Sequence, residues 1–351
     1  MRGFTHQANP ARVVFGRGTM AQAGEELVRL GTSRALVLST PQQAGQARAL
    51  ADALGPLAVG LFDGAAMHTP VDVTARAMAV YDQTGADSVV ALGGGSTIGL
   101  GKAIAARSGA PQLVIATSYA GSEVTPILGE TENGVKTTRK GPEILPETVI
   151  YDPDLTDGLP LPMTISSGLN AMAHAAEGVY AQDGSPIFTL IAVEGLGALK
   201  GALPRLVADP QDRDARDEAL YGAWLCGTVL GGVGMSIHHK LCHTLGGALD
   251  LPHAETHAIL LPHTIAYVET GAPEALAPVA ALFGGQAGRG LHAFAQGLGA
   301  PMSLADLGVR EDQLDALADQ AVANPYWTPR PLDRPAIRAL LGRALTGGVP
   351  E

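Results

Sequence analysis

The stretch "HHKLCHTLGGALDLPHAETHAILLPH" runs from His238 to His263 and holds six of the chain's ten histidines. Imidazole ligates metals, donates hydrogen bonds and carries protons near neutral pH, so the cluster poses a choice among these chemistries. His239 and His243 stand one helical turn apart, and His253 follows a short loop closed by Pro252. Upstream, "SSGLNAMAHAAEG" (166–178) repeats that spacing with Asn170 and His174, behind serines suited to cap a helix start. Three imidazoles and one oxygen ligand from two helices and a loop would make a divalent metal site. The oxygen ligand is the obstacle. A carboxylate there would contribute roughly 4 kcal/mol per charge pair at 4 Å, whereas Asn170 offers a neutral dipole and amide donors. On the residues alone three readings stay open: a metal site, a histidine-lined catalytic pocket without metal, and histidines satisfied inside a helical core. The amide weakens the first and the density of the cluster weakens the third. His238, His257 and His263 are weaker candidates, although His257 lies one turn beyond His253 and is placed to face the same pocket. Lys240 stands among the helical histidines as a cation for an anionic substrate.

A second constellation lies in "VVALGGGSTIGLGKAIA" (89–105), where three glycines separate a strand from a helix start. Glycine lets the backbone approach a pyrophosphate, whose charge the helix N-terminus then meets. The spacing fits neither GxGxxG nor a Walker A loop. Gly94, Gly95 and Ser96 are the expected phosphate contacts. Thr117 and Ser118, in "IATSYAGSEVTP" (115–126), are small hydroxyl residues expected at the nicotinamide end, and Lys136 is a candidate for a cofactor phosphate, with Arg139 and Lys140 beside it. Ser39 ends an apolar run where many dinucleotide folds place an acid for the ribose 2′-hydroxyl, so discrimination between NADH and NADPH is expected to be weak.

The elements that must position these residues alternate in the first half of the chain. "RALVLS" (34–39), "LAVGLF" (57–62), "DSVVALGG" (87–94) and "QLVIATS" (112–118) read as buried parallel strands, with helical patterns near 41–53, 70–83 and 97–107. "ILGETENGVKTTRK" (127–140) carries Asn133-Gly134 between alternating runs, a hairpin signal, and "TVIYDPDL" (148–155) is a last strand. Beyond about Pro160 the pattern is helical throughout. The expected architecture is an α/β, Rossmann-like, doubly wound dinucleotide-binding domain over 1–155, followed by an all-helical substrate domain over 156–351. Internal repeats and low-complexity tracts are not evident.

The bulk numbers agree with a compact enzyme: 46% hydrophobic and 16% charged residues exclude disorder, and a net charge of −11 disfavours nucleic acid as a partner. Cys226 and Cys242 lie in apolar, helix-like surroundings and read as reduced thiols of a cytoplasmic protein. The N-terminus lacks an apolar targeting segment, and the nearest approach to a membrane span is "GTVLGGVGMSI", too short to cross.

Taken together, "LGGGSTIGLGKAIA", "GSEVTP", "GLNAMAHAAEG" and the histidine-rich run resemble, over the whole chain, the iron-containing alcohol dehydrogenase superfamily with its dehydroquinate synthase-like fold. Within it, "SYAGSEVTPILGETENGVKTTRK", "LPETVIYDPDLT" and "HHKLCHTLGG" are similar to the maleylacetate reductase branch. That superfamily binds its metal through an Asp, a His four residues later and two further histidines. Those positions fall on Asn170, His174, His239 and His253, and an additional active-site histidine falls on His243. The resemblance implies NADH or NADPH as cofactor, no metal, a homodimer, and reduction of the C=C bond of maleylacetate, a small dicarboxylate, to 3-oxoadipate. His243 and His253 are then expected to donate hydrogen bonds and a proton, and Asn170, His174 and His239 to bind the substrate. A metal-dependent alcohol or polyol dehydrogenase is the alternative, and a dehydroquinate synthase-like lyase a more distant one.

Overall fold

The computed structural model describes residues 4–9 and 11–351, and the side chain of Lys136 lies outside what it describes. The chain divides into two units, one over Ala8–Leu159 and one of residues 4–7 with Pro160–Glu351. The division falls four residues beyond the boundary expected from the sequence, and residues 4–7 belong to the helical unit.

In the first unit, strands β1 (Arg12–Phe15), β2 (Ala35–Leu38), β3 (Ala58–Phe62), β4 (Ser88–Gly93), β5 (Gln112–Ala116) and β8 (Thr148–Tyr151) form one sheet. Its order is β1-β8-β5-β4-β2-β3, every neighbouring pair is parallel, and β6 (Ile127–Glu132) and β7 (Val135–Lys140) make a separate antiparallel hairpin. Helices α1 (Ala23–Arg29), α2 (Ala44–Leu54), α3 (Val71–Thr84) and α4 (Gly95–Ser108) supply the crossovers. The strands read as continuous apolar runs because both faces are buried. Ala35 and Val37 pack with Leu27, Ala47 and Leu50 on one side, and Leu36 and Leu38 with Ala77, Leu100 and Ile104 on the other. The chain runs outward from β2 to β3, then continues from β4 on the opposite side of β2. The carboxyl ends of β2 and β4 are therefore the switch point where a doubly wound sheet opens a crevice. In the hairpin, Asn133 has φ 50° and Gly134 φ 76°, as the Asn-Gly turn requires.

The second unit is helical: α5 (Leu161–Gly178), α6 (Pro186–Ala208), α7 (Arg213–Gly232), α8 (Ile237–Leu249), α9 (His253–Gly271), α10 (Pro273–Leu282), α11 (Ala287–Gly297), α12 (Leu314–Ala323) and α13 (Arg334–Thr346). Helix α5 is buried from Thr164 to Gly178 and packs against α6, α7 and α9. Cys226 and Cys242 are buried free thiols.

Three sequence expectations need correction. Strand β1 and helix α1 were not read, because "RVVF" is a short run at the sheet edge with little periodicity to mark it. Ser166 and Ser167 do not cap a helix: α5 begins at Leu161 behind Pro160, and both serines are buried in its interior. Burial of "LPMTI" against neighbouring helices extends the helix past the local capping signal. Third, among the described residues α6 is long and apolar enough to cross a membrane, at a mean hydropathy of 1.4 over an 18-residue stretch, while "GTVLGGVGMSI" lies at the bend between α7 and α8. In this fold it lies against α7, where Gly195 approaches Cys226 and Gly222.

Gly178 marks a comparable close approach, since a Cβ there would sit 2.1 Å from Val229 Cγ1. Replacing a helical glycine by alanine ordinarily gains about 1 kcal/mol, whereas overpacking costs roughly 1–3 kcal/mol. Gly178→Ala is therefore expected to lower stability by about 1 kcal/mol net, read from the urea midpoint. A stabilised variant would show that α5 and α7 separate without cost.

Candidate active site

The histidine cluster is assembled entirely within the helical unit. Helix α5 carries Asn170 and His174 one turn apart, α8 carries His239 and His243, and α9 begins at His253 with His257 one turn on. Ring centroids of His174 and His239 lie 5.3 Å apart, His239 and His257 5.0 Å, His253 and His257 4.3 Å, and His239 and His243 5.9 Å. The structure thus brings all four expected histidines to one place and adds His257 to them. Asn170, His174, His239 and His257 are buried, while His243 and His253 are exposed and form the rim. Tyr326 Oη lies 3.3 Å from His243 Nδ1, and the Lys240 ammonium sits over the Tyr326 ring at 5.7 Å from its centroid.

Two residues outside the expected set organise the cluster. Glu177, one turn beyond His174 on α5, is fully buried, and its Oε2 accepts from His239 Nδ1 at 2.5 Å. Its Oε1 accepts from the His238 backbone N–H at 2.7 Å, in the first turn of α8. His239 therefore carries a proton on Nδ1, which leaves Nε2 as the nitrogen turned away from Glu177. His238 stands behind His257, with His238 Nε2 and His257 Nδ1 2.9 Å apart. Burial, reinforced by neighbouring imidazoles, holds His174, His238 and His257 well below the ordinary histidine range, so these rings stay neutral.

The metal question turns on the donor set. At the family positions Asn170 Oδ1 and His174 Nδ1 are buried without hydrogen-bond partners, yet every donor is neutral. The buried carboxylate, Glu177, is engaged by His239 and His238 instead. The family's anionic ligand is thus replaced by an amide, while the three imidazoles, with a carboxylate behind His239, keep the form of a three-histidine donor set. Among the described residues, His238, Cys242 and His257 bring ligand atoms within 4.8 Å of one another. Burial and the nearby Glu177 carboxylate push the Cys242 thiol well above its ordinary range, and His238 and His257 already face each other through a hydrogen bond. A cation there would have to displace the thiol proton and that hydrogen bond.

In the α/β unit the glycine loop suits a dinucleotide. Gly93 has φ 156°, a Cβ there would meet Thr97 Oγ1 at 2.5 Å, and one on Gly94 would meet Ser118 Oγ at 2.6 Å. Gly94 caps α4 without a side-chain bond, leaving the amides of Gly95 and Ser96 for a phosphate. Thr117 stands across from this loop, its backbone N–H donating to Gly93 O at 3.2 Å and its Oγ1 accepting from Gln43 Nε2 at 3.0 Å. Ser39 is not brought to the surface with them: it is fully buried, its backbone bonded to Phe62 and Ala65. Lys136 lies on β7, and its side chain is outside the described part of the structure. Sequence reading also missed Lys102, fully buried on α4. Its Nζ donates to the backbone oxygens of Ser122, Thr125 and Ile127, bracing the loop that follows β5, while burial pushes the ammonium down to about 7.

The family model for iron-containing alcohol dehydrogenase matches residues 10–153, and that for the C-terminal part of the Fe-containing alcohol dehydrogenase family matches residues 164–345. The chain belongs to the iron-containing alcohol dehydrogenase family. It is 66% identical to the maleylacetate reductase of Rhizobium sp. (strain MTP-10005) over 351 residues, covering 100% of both chains. It is 53% identical to that of Burkholderia cepacia, again over 100% of each. Among solved structures, maleylacetate reductase from Agrobacterium tumefaciens matches with a TM-score of 0.98 at 66% identity and 100% coverage of each chain. Against its family's metal ligands, the departure in this chain is the amide at Asn170.

His263 lies two turns beyond His257 and outside the cluster, beside His292 of α11 at 6.2 Å between ring centroids. Burial first, then His292 and Arg343, push His263 down to about 3. The unfolded chain protonates this group near its ordinary value, so the unfolded state binds more protons between about pH 6.5 and 3, and stability falls as pH drops through that window. His263→Phe is expected to flatten the slope of stability against pH there by up to about 1.4 kcal/mol per unit, measured from urea midpoints at several pH values. An unaltered slope would remove His263 from the acid response.

Proposed function

We propose that the chain reduces the C=C bond of maleylacetate to give 3-oxoadipate, using NADH or NADPH and no resident metal. The reading rests on one observation: among Asn170, His174, His239 and His253, where the family holds iron, an amide stands in place of the acid. Full-length identity of 66% to a maleylacetate reductase supports the same substrate.

The backbone at Gly94, Gly95 and Ser96 would hold the cofactor pyrophosphate, with Thr117 and Ser118 toward the nicotinamide end. When bound, the reduced nicotinamide supplies hydride to the alkene carbon β to the ketone. The residues of this chain then manage charge and one proton. The substrate carries two carboxylates, which the Asn170 amide, the rim imidazoles of His243 and His253, and the Lys240 ammonium are suited to bind. As negative charge develops on the ketone oxygen, preorganised donors stabilise it without a Lewis acid. The carbon α to the ketone must finally gain a proton. Glu177 equips His239 for that step, because a carboxylate on Nδ1–H supports the imidazolium formed when Nε2 is protonated, the same logic by which an acid orients the histidine of a hydrolase triad. His239 is thus assigned the proton, and the exposed His243 and His253 the substrate carboxylates.

Protein freed of metal by a chelator, with its metal content measured, is expected to oxidise NADH or NADPH with maleylacetate at an undiminished rate, and added Fe²⁺ or Zn²⁺ to change nothing. Loss of turnover with the chelator and its return with metal would establish the metal-dependent dehydrogenase instead. Glu177→Gln is expected to lower kcat by about 10²-fold with KM nearly unchanged, since a positioned general acid contributes 10²–10⁴. His243→Ala and His253→Ala are expected chiefly to raise KM for the substrate. A wild-type kcat in Glu177→Gln would take the proton away from His239.

A further inference from the structure

The loop that follows β5 lies outside the sheet and is nevertheless buried: Tyr119, Glu123, Val124 and Thr125 are at most 4% exposed. A buried loop must find partners for backbone groups that no ladder supplies. Three carbonyls, those of Ser122, Thr125 and, where the loop enters β6, Ile127, turn inward onto the Lys102 ammonium at 2.5, 2.8 and 2.9 Å. The hydroxyl oxygens of Thr125 and Ser122 join them at 2.9 and 3.2 Å. A carbonyl oxygen only accepts, so three of them call for three hydrogens on one nitrogen, which an ammonium has and a neutral amine lacks. The Glu123 carboxylate, in the same loop, offsets the charge, and its Oε1 accepts from Tyr151 Oη at 2.9 Å. Lys102 reaches this nest from α4, two turns beyond the Gly95 and Ser96 amides that open the helix. At its other end the loop stands against the glycine turn. Thr117 N–H donates to Gly93 O at 3.2 Å, and Ser118 Oγ lies 2.6 Å from where a Cβ on Gly94 would sit.

We propose that Lys102 is a positioning residue for the dinucleotide: it ties the 117–127 loop to the helix that receives the pyrophosphate, and so sets how well the nicotinamide half is held. It is fully buried and spends its hydrogens on the loop, so it acts through Thr117 and Ser118 and not by contact with the cofactor. Without the ammonium three inward carbonyls lose their donor. The loop then gains by turning them to water, and Thr117 and Ser118 are released with it. The amides at the start of α4 keep their helical frame. The two halves of the ligand therefore respond unequally, which a general loss of structure would not produce.

The binding arm of the test rests on the reductase reading and the exchange arm does not, so the two fail separately. Lys102→Met keeps the apolar stem and removes the donors. In the cofactor-free protein it is expected to speed hydrogen exchange of the 117–127 amides by about tenfold or more, while those of β4 and α4 stay protected. Fluorescence titration is expected to show Kd for the reduced dinucleotide, NADH or NADPH, raised about tenfold, the scale of a lost hydrogen bond to a charged group. Kd for ADP-ribose, which has the pyrophosphate and no nicotinamide, is expected to stay within about twofold. Thr125→Val leaves the lysine its carbonyls and removes one hydroxyl oxygen. It is expected to give the same split at about threefold, and it decides the matter if Lys102→Met does not fold. Unchanged exchange in the loop overturns the proposal, as does an equal loss of affinity for both ligands or an unchanged Kd for the reduced dinucleotide. A wild-type protein that binds neither ligand overturns the dinucleotide reading, and the proposal with it, whatever the exchange shows.

Discussion

The Glu177 carboxylate is the interaction on which the rest of the site depends. It is fully buried and receives the His239 imidazole N–H, the His238 backbone N–H and, more distantly, the Tyr180 hydroxyl. A buried acid survives only when its lone pairs are filled in this way. The His238 amide belongs to the first turn of α8, so the same carboxylate also meets the positive end of that helix dipole and fixes where α8 begins. One side chain therefore joins α5 to α8 and sets the tautomer of His239. The tight contact of the next residue, Gly178, with Val229 holds that end of α5 in place against α7.

The site's negative charge is thus held behind an imidazole and not among the groups at the family's ligand positions. In the metal-binding pattern an acid at position 170 would offset a cation directly. Here the acid acts one layer back, and its charge is delivered through a ring that can take or release a proton. A neutral amide at Asn170 suits that arrangement, because an acid there would repel a dicarboxylate substrate.

Most of the fold was legible because both faces of the central sheet are covered. Burial on two sides forces β2, β4 and β5 to be unbroken apolar runs, and such runs bounded by glycine and proline declare themselves. Strand β1 pairs on one side only, and that weaker demand left "RVVF" without a pattern to read. The histidines were legible from their four-residue spacing, which a helix converts to a shared face. Their supports were not. Glu177 in "AHAAEG" reads as an ordinary solvated helix charge, and nothing local says that α7 and α8 cover it. Tyr326 and Gln43 meet His243 and Thr117 across 83 and 74 residues of chain, and no spacing rule spans such distances. Ser39 shows the converse error: its place at the end of β2 was read correctly, but the segment after β3 folds over it and removes it from solvent.

Why a cluster of imidazoles should remain mostly uncharged follows from the same burial. If every ring could protonate near neutral pH, the pocket would become a polycation, holding dianionic substrate and dianionic product with equal tenacity and donating protons from several places at once. Desolvation prevents this at His174, His238 and His257. Of the buried rings, His239 has a carboxylate behind it, whereas the others have imidazoles, hydroxyls or unpartnered nitrogens around them. In the proposed reaction that ring, oriented by Glu177 and surrounded by rings held neutral, is the one placed to deliver one proton to one carbon. That selectivity comes from the unequal second layer around chemically identical side chains, and it needs no difference in the imidazoles themselves.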